Sequence, residues 1–177
     1  MKKKWLLLLL PLSFSLSFGQ VKEFPLKSEN FSEVVLNKKM NFEGFIRKDI
    51  PFRLSFNYVV RNPEKQASYF VAGQYGAEGS TSEFLGEMVF TEKYDVKGDP
   101  DQMLVFGDFF FAGGKSATGS EMLKGKFRIQ VNKNIQLAER FSTLTFRGKR
   151  KNGAGTAEAE VWWANYNPAD ISKVVFK

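Results

Sequence analysis

Between residues 51 and 60 the chain reads "PFRLSFNYVV", with Phe52, Leu54, Phe56 and Tyr58 on alternate positions and Arg53, Ser55 and Asn57 between them. A helix, which repeats about every 3.6 residues, cannot gather such a set on one side. A strand can, because successive side chains point to opposite faces. The same spelling returns in "SYFVAGQYG", "EFLGEMVFTEKY", "QMLVFGDFFFAG", "KGKFRIQVN", "FSTLTFRGKR" and "GTAEAEVWWAN", with "FEGFIR" before these runs and "ISKVVFK" after them. Turn-forming residues separate the runs, among them "NPEK" at 62–65 and the Asn-Gly pair in "KNGAG" at 151–155.

This pattern predicts a mainly β chain of about eight to nine strands. Two architectures hide the edges of such strands: an antiparallel up-and-down barrel of the lipocalin-like kind, or a two-sheet sandwich. Sequential pairing favours the barrel. One short N-terminal helix is expected near Asn30 and Glu33, where the asparagine side chain can accept from first-turn amides while Phe31, Val34 and Val35 share one side.

The first residues, "MKKKWLLLLLPLSFSLSFGQ", have the layout of a secretory signal peptide: three lysines, a short apolar stretch broken by Pro11 and serines, then small residues before Gln20. Expected boundaries are therefore a signal peptide at 1–19 and a single β domain at 20–177, exported to the periplasm or beyond. The apolar run falls short of the roughly 18 to 20 residues that a retained membrane helix requires. Loss of Lys2, Lys3 and Lys4 lowers the formal charge from +7 to +4, an ordinary value for a small domain, so the basic composition is no argument for nucleic acid. The sequence contains no cysteine, hence neither a disulfide nor a thiol-linked lipid, and the fold rests on a core supplied by phenylalanine, of which the sequence has 19, all but Phe14 and Phe18 after residue 19.

The sequence also contains no histidine. With cysteine absent as well, Ser-His-Asp and Cys-His nucleophilic sites and the nitrogen and sulfur ligands of zinc are excluded. Carboxylates remain, and Glu83, Glu87, Glu92, Glu158 and Glu160 are the candidates for a carboxylate-based hydrolase. Glu158 and Glu160 share one strand face, as solvated glutamates also do, whereas Glu87 sits inside the apolar string "FLGEMVF". Asp95, Asp99 and Asp101 in "YDVKGDPDQ" could offer oxygen to calcium, but without the spacing of an EF-hand they read as a polar loop. "FAGGKSATGSE" at 111–121 lacks the spacing of a phosphate-binding loop and reads as a flexible connection. Lys149, Arg150 and Lys151 read as a solvated hairpin tip, with contact to an anion or acidic polymer as the alternative.

The adjacent tryptophans carry the sharpest expectation. Ala157, Ala159, Val161 and Trp163 form one face of their strand and Glu158, Glu160 and Trp162 the other, so Trp163 belongs to the core and Trp162 points outward. Trp162 is then either covered by the N-terminal helix or the C-terminal tail, or free to stack on a ligand such as a sugar ring. "QMLVFGDFFFAGG" poses a similar question, because Leu104, Phe106 and Phe110 make its second face apolar too. The expected contact surface comprises Trp162, Tyr166, Gly113, Gly114 and Lys115, with no catalytic residue, metal or cofactor assigned. The expected function is an exported, non-enzymatic binding or accessory protein whose partner is a hydrophobic small molecule, a glycan or another protein, not nucleic acid. An integral outer-membrane barrel is the first alternative and the hydrolase the second.

Overall fold

The computed structural model describes residues 23–38, 41–116, 119–135, 142–151 and 158–166, with the side chains of 114–116 and 119–120 left aside. A short helix, α1 (Ser32–Leu36), precedes eight strands: β1 (Phe42–Ile46), β2 (Ile50–Arg61), β3 (Ser68–Ala77), β4 (Ser80–Val96), β5 (Asp99–Ser116), β6 (Gly119–Asn132), β7 (Thr143–Lys151) and β8 (Glu158–Ala164). Each strand pairs antiparallel with the next, and β8 returns to pair with β1. The sheet is thereby a closed up-and-down barrel, in which each of the eight described strands has a paired neighbour on either side. The run "ISKVVFK" and most of "KNGAG" lie outside the described residues.

Alternation decides which side chains fill the barrel. Phe42 and Ile46 of β1, Phe52, Leu54 and Phe56 of β2, and Leu144 and Phe146 of β7 all point inward and are buried. Tyr58 departs from the expected alternation. The β2–β3 register shifts between Phe56 and Tyr58, so Tyr58 turns outward at 58% exposure and Val59 takes the inward place.

Two segments that compose like loops are strands with tight turns. β4 runs to Val96 and β5 starts at Asp99, leaving Lys97 and Gly98 as the turn, with Gly98 at φ 85°. β5 then continues through the glycine-rich stretch to Ser116. Ladder pairing with β4 and β6 outweighs the weak strand propensity of those residues.

Helix α1 forms where expected and plugs one end of the barrel. Asn30 Oδ1 accepts from the Ser32 amide at 3.0 Å, while Asn37, in the left-handed region, ends the helix and donates its amide to Glu33 O. Phe31 stacks on Phe90 at 4.8 Å, and Phe24 packs on both. Tyr69 pins this segment from the barrel side: its hydroxyl accepts from the Phe31 amide and donates to Glu29 O.

Candidate functional site

The interior is occupied by its own aromatic rings. Trp163, fully buried, stacks face to face on Phe146 at 4.9 Å and meets Phe109 edge-on at 5.1 Å, while Phe56 contacts Phe42, Phe84 and Phe111. Close approach of β1 and β8 beside Trp163 depends on Gly44, where a Cβ would sit 1.8 Å from the Trp162 carbonyl oxygen. A small barrel filled this way leaves ligand chemistry to its wall and rims.

Trp162 faces outward and is half-buried, as the alternation of β8 dictates. Its neighbours in register are Phe45 on β1, 46% exposed, and Arg147 on β7. These three line an open groove of about 650 Å³, with Val161 and Gly148 also contributing. Arg47 and Lys48 supply one side from the β1–β2 turn, and Lys149 and Glu160 another. The turn is stitched to the groove, since the Arg47 amide donates to the Glu160 carbonyl at 2.9 Å. It also holds Arg47 at φ 61° and Lys48 at φ 98°, a region that side chains beyond glycine seldom adopt. Lys149 pairs with Glu158 at 2.8 Å, and this carboxylate raises the lysine pKa. Among the described residues no carboxylate lies within ion-pair distance of Arg47, Lys48 or Arg147. The N-terminal helix is at the plugged barrel end, where Phe31 before it contacts Phe90 and Tyr69, so the helix does not cover this groove; the C-terminal tail, the other expected cover for Trp162, lies outside the described residues.

Tyr166 lies near this wall. Its hydroxyl shares a 2.9 Å hydrogen bond with Thr145 Oγ1, two residues along β7 from Arg147 and on the same outer face. The glycine-rich residues are elsewhere. Gly113, on β5, pairs with Phe84 and Glu121, and a Cβ there would lie 2.1 Å from the Glu83 carbonyl oxygen, so its bareness serves strand contact. Gly114 and Lys115 belong to the same end of β5, where the register with β6 shifts. The structure thus brings Trp162 and Tyr166 onto one wall and holds Gly113, Gly114 and Lys115 apart from them.

The basic cluster is divided by the barrel wall. Lys149 is exposed, whereas Arg150 points inward, 9% exposed, and grips Glu121 with two nitrogens at 2.9 and 3.3 Å. Glu121 also accepts from the Tyr75 hydroxyl. Burial pushes the Tyr75 pKa up, and the bond to Glu121 adds to it. For Glu121 burial acts upward, but Arg150 and Tyr75 together outweigh it and leave the carboxyl below its ordinary value. This polar cluster closes the barrel end opposite α1. A signal for it exists in the sequence, since Leu144, Phe146, Gly148 and Arg150 fall on one alternating face.

The candidate carboxylates disperse. Glu87 lies on the outer wall between Phe70 and Phe110 in register and accepts from Ser68 Oγ. It borders a second groove, formed with Glu23, Phe24 and Glu64, where Glu23 is paired to Lys27 at 2.6 Å. Glu92 accepts from the Tyr94 hydroxyl, and Glu83 is exposed. Asp95 is held by Lys93 and Lys133 at 2.7 and 3.0 Å, and Asp99 Oδ1 accepts from the Asp101 amide. Among the described residues no group of three or more acidic side chains is placed to hold a metal ion.

The outer faces of β2 to β5 carry an apolar strip. Val60 lies opposite Phe70, and Leu85, 70% exposed, opposite Ala72 and Ala112; Phe110, at 46%, is uncovered by any described segment. Fold and surface together define a filled eight-stranded barrel with an aromatic and cationic groove on its wall. No family model matches the chain, and no curated protein or solved structure matches it significantly.

Proposed function

We propose that this chain is an exported, non-enzymatic binding protein that meets its ligand on the outer wall of the barrel, at Trp162. The observation that carries the reading is the contrast between two neighbouring indoles: Trp163 is sealed among phenylalanines, while Trp162 borders an open groove beside Phe45 and Arg147. A rigid aromatic surface next to charged side chains is typical equipment for recognition, and among the described residues Glu160 is the one carboxylate lining this groove, where acid-base hydrolysis uses two.

The polarity of the wall supports this reading over a membrane-spanning barrel. In lipid the outward faces form an apolar band and the interior is commonly polar. Here the interior is aromatic. The outer face carries Asp108 paired with Lys126, Lys149 with Glu158, and Arg128 and Arg147 on adjacent strands, while Glu87 interrupts the apolar strip.

The test begins with the full chain expressed in a bacterial host. The exported product is expected to have the mass of a chain starting at Gln20. Its only tryptophans are then Trp162 and Trp163, and acrylamide should quench one emitting population readily and the other poorly. The quenchable population should vanish in Trp162→Phe. Emission resistant to quencher from both indoles would remove the basis for a contact surface at Trp162.

A further inference from the structure

Resting on that reading, we infer that the Trp162 groove binds an acidic polysaccharide. Among the described residues the groove is open and lies along the wall between β1, β8 and β7, a shape suited to a polymer segment crossing the surface and not to a small molecule that must be largely engulfed. Trp162 and Phe45 are register neighbours and offer flat apolar surface to sugar rings. Arg47, Lys48 and Arg147 surround these rings with cationic groups, and arginine suits the planar carboxylate or sulfate of an acidic sugar.

Glu160 sharpens the ligand class. A carboxylate beside Trp162 accepts from hydroxyl groups, which a sugar presents in plenty. Its charge opposes the anionic groups of an acidic sugar and of a nucleic-acid strand alike, and aromatics among cations suit both, so the hydroxyl acceptor is what favours a sugar and an oligothymidylate control separates the two. The β1–β2 turn gives a second, independent indication. Lys48 stands at φ 98°, where glycine would be relaxed, so the position carries a cation at the expense of local backbone stability. Such a concession has a physical purpose if the charge faces a ligand.

The experiment is affinity electrophoresis of the exported protein through gels containing polygalacturonate, alginate or heparin, with dextran and an oligothymidylate as controls. Retardation by at least one acidic polysaccharide is expected, with dextran at least tenfold weaker. Trp162→Ala and Arg147→Gln should each weaken it about tenfold. Lys48→Gly should weaken it several-fold while the melting temperature stays level or rises, a split that a structural role for Lys48 would not produce. No retardation by any of the three, or equal retardation by dextran, overturns the inference. Equal or stronger binding of the oligothymidylate overturns it in favour of a nucleic-acid surface. Quenching separates the two levels: if Trp162 is readily quenched but no acidic polysaccharide binds, the ligand class fails alone, whereas a shielded Trp162 removes the underlying reading too.

Discussion

At the scale of single residues, backbone geometry makes opposite predictions at two neighbouring positions. Lys48 at φ 98° bears a strain of about 1–3 kcal/mol. Glycine removes that strain but gives back about 0.5–1 kcal/mol through its freer unfolded chain. Lys48→Gly should therefore stabilise the fold by about 1 kcal/mol, read as a higher urea midpoint with unchanged slope. Gly44→Ala should do the reverse. Its methyl would lie 1.8 Å from the Trp162 carbonyl oxygen, so β1 and β8 must part where the barrel closes. A loss of about 3 kcal/mol or more is expected, with near-native stability contradicting the close approach. The sequence discloses little of this, because a glycine in a strand reads the same whether it relieves a turn or a collision. Trp162 and Trp163 were legible for the opposite reason: alternation alone fixes their faces. Arg150 shows the limit, since its inward face can be counted from Leu144 and Phe146, but Glu121 is brought to it only by the β6–β7 pairing.

At the scale of elements, the strands were more legible than their lengths. Aspartates, glycines and a proline in 94–102 and 111–121 argue locally for loops. The ladders nonetheless carry β4, β5 and β6 to 17, 18 and 14 residues, because β5 goes on pairing with β4 as far as Val96 and with β6 as far as Gly119, beyond the reach of β3 and β7. The bulge at Phe56 to Tyr58 was invisible for a related reason: a register shift belongs to two strands, not one. Asn30 and its apolar neighbours predict the helix, but five residues do not sustain a helix in isolation, and its stability derives from docking. Tyr69 is the clasp. Tyr69→Phe keeps the ring beside Phe90 but loses the hydroxyl that accepts from Phe31 N and donates to Glu29 O. It should cost about 1–3 kcal/mol, mainly because a buried amide is left unpaired. Hydrogen exchange should accelerate at the Phe31 amide while the β6 and β7 amides keep their protection. Uniform acceleration throughout would mean that the plug and the barrel open as one unit.

At the scale of the whole molecule, the barrel is closed by different chemistry at its two ends: an aromatic plug beneath α1, and the Tyr75, Glu121 and Arg150 cluster at the other. Only the second responds to acid. The folded Glu121 carboxyl titrates below its ordinary value of 4.5, so its stabilisation is fully present above that value and is lost as pH falls through the lower folded one. Asp95 and Glu158 are lowered too, each by hydrogen bonds and attraction from lysines, but both are on the surface. Their share of the acid sensitivity should fade in salt, whereas the Glu121 share, next to an inward-facing arginine, should persist. Glu121→Gln is expected to lower neutral-pH stability by about 2 kcal/mol, because Arg150 loses its nearer charged partner and keeps only the more exposed Glu78 at 3.8 Å. The variant should then lose less than the parent between neutral pH and the acid side of the folded carboxyl's lowered value, where the parent surrenders the pair by protonation. Urea midpoints of both proteins, taken across that interval at low and high salt, separate the contributions. A parent-minus-variant difference that shrinks on acidification and is indifferent to salt assigns the acid-labile closure to Glu121; parallel curves would place the labile carboxylates on the outer wall.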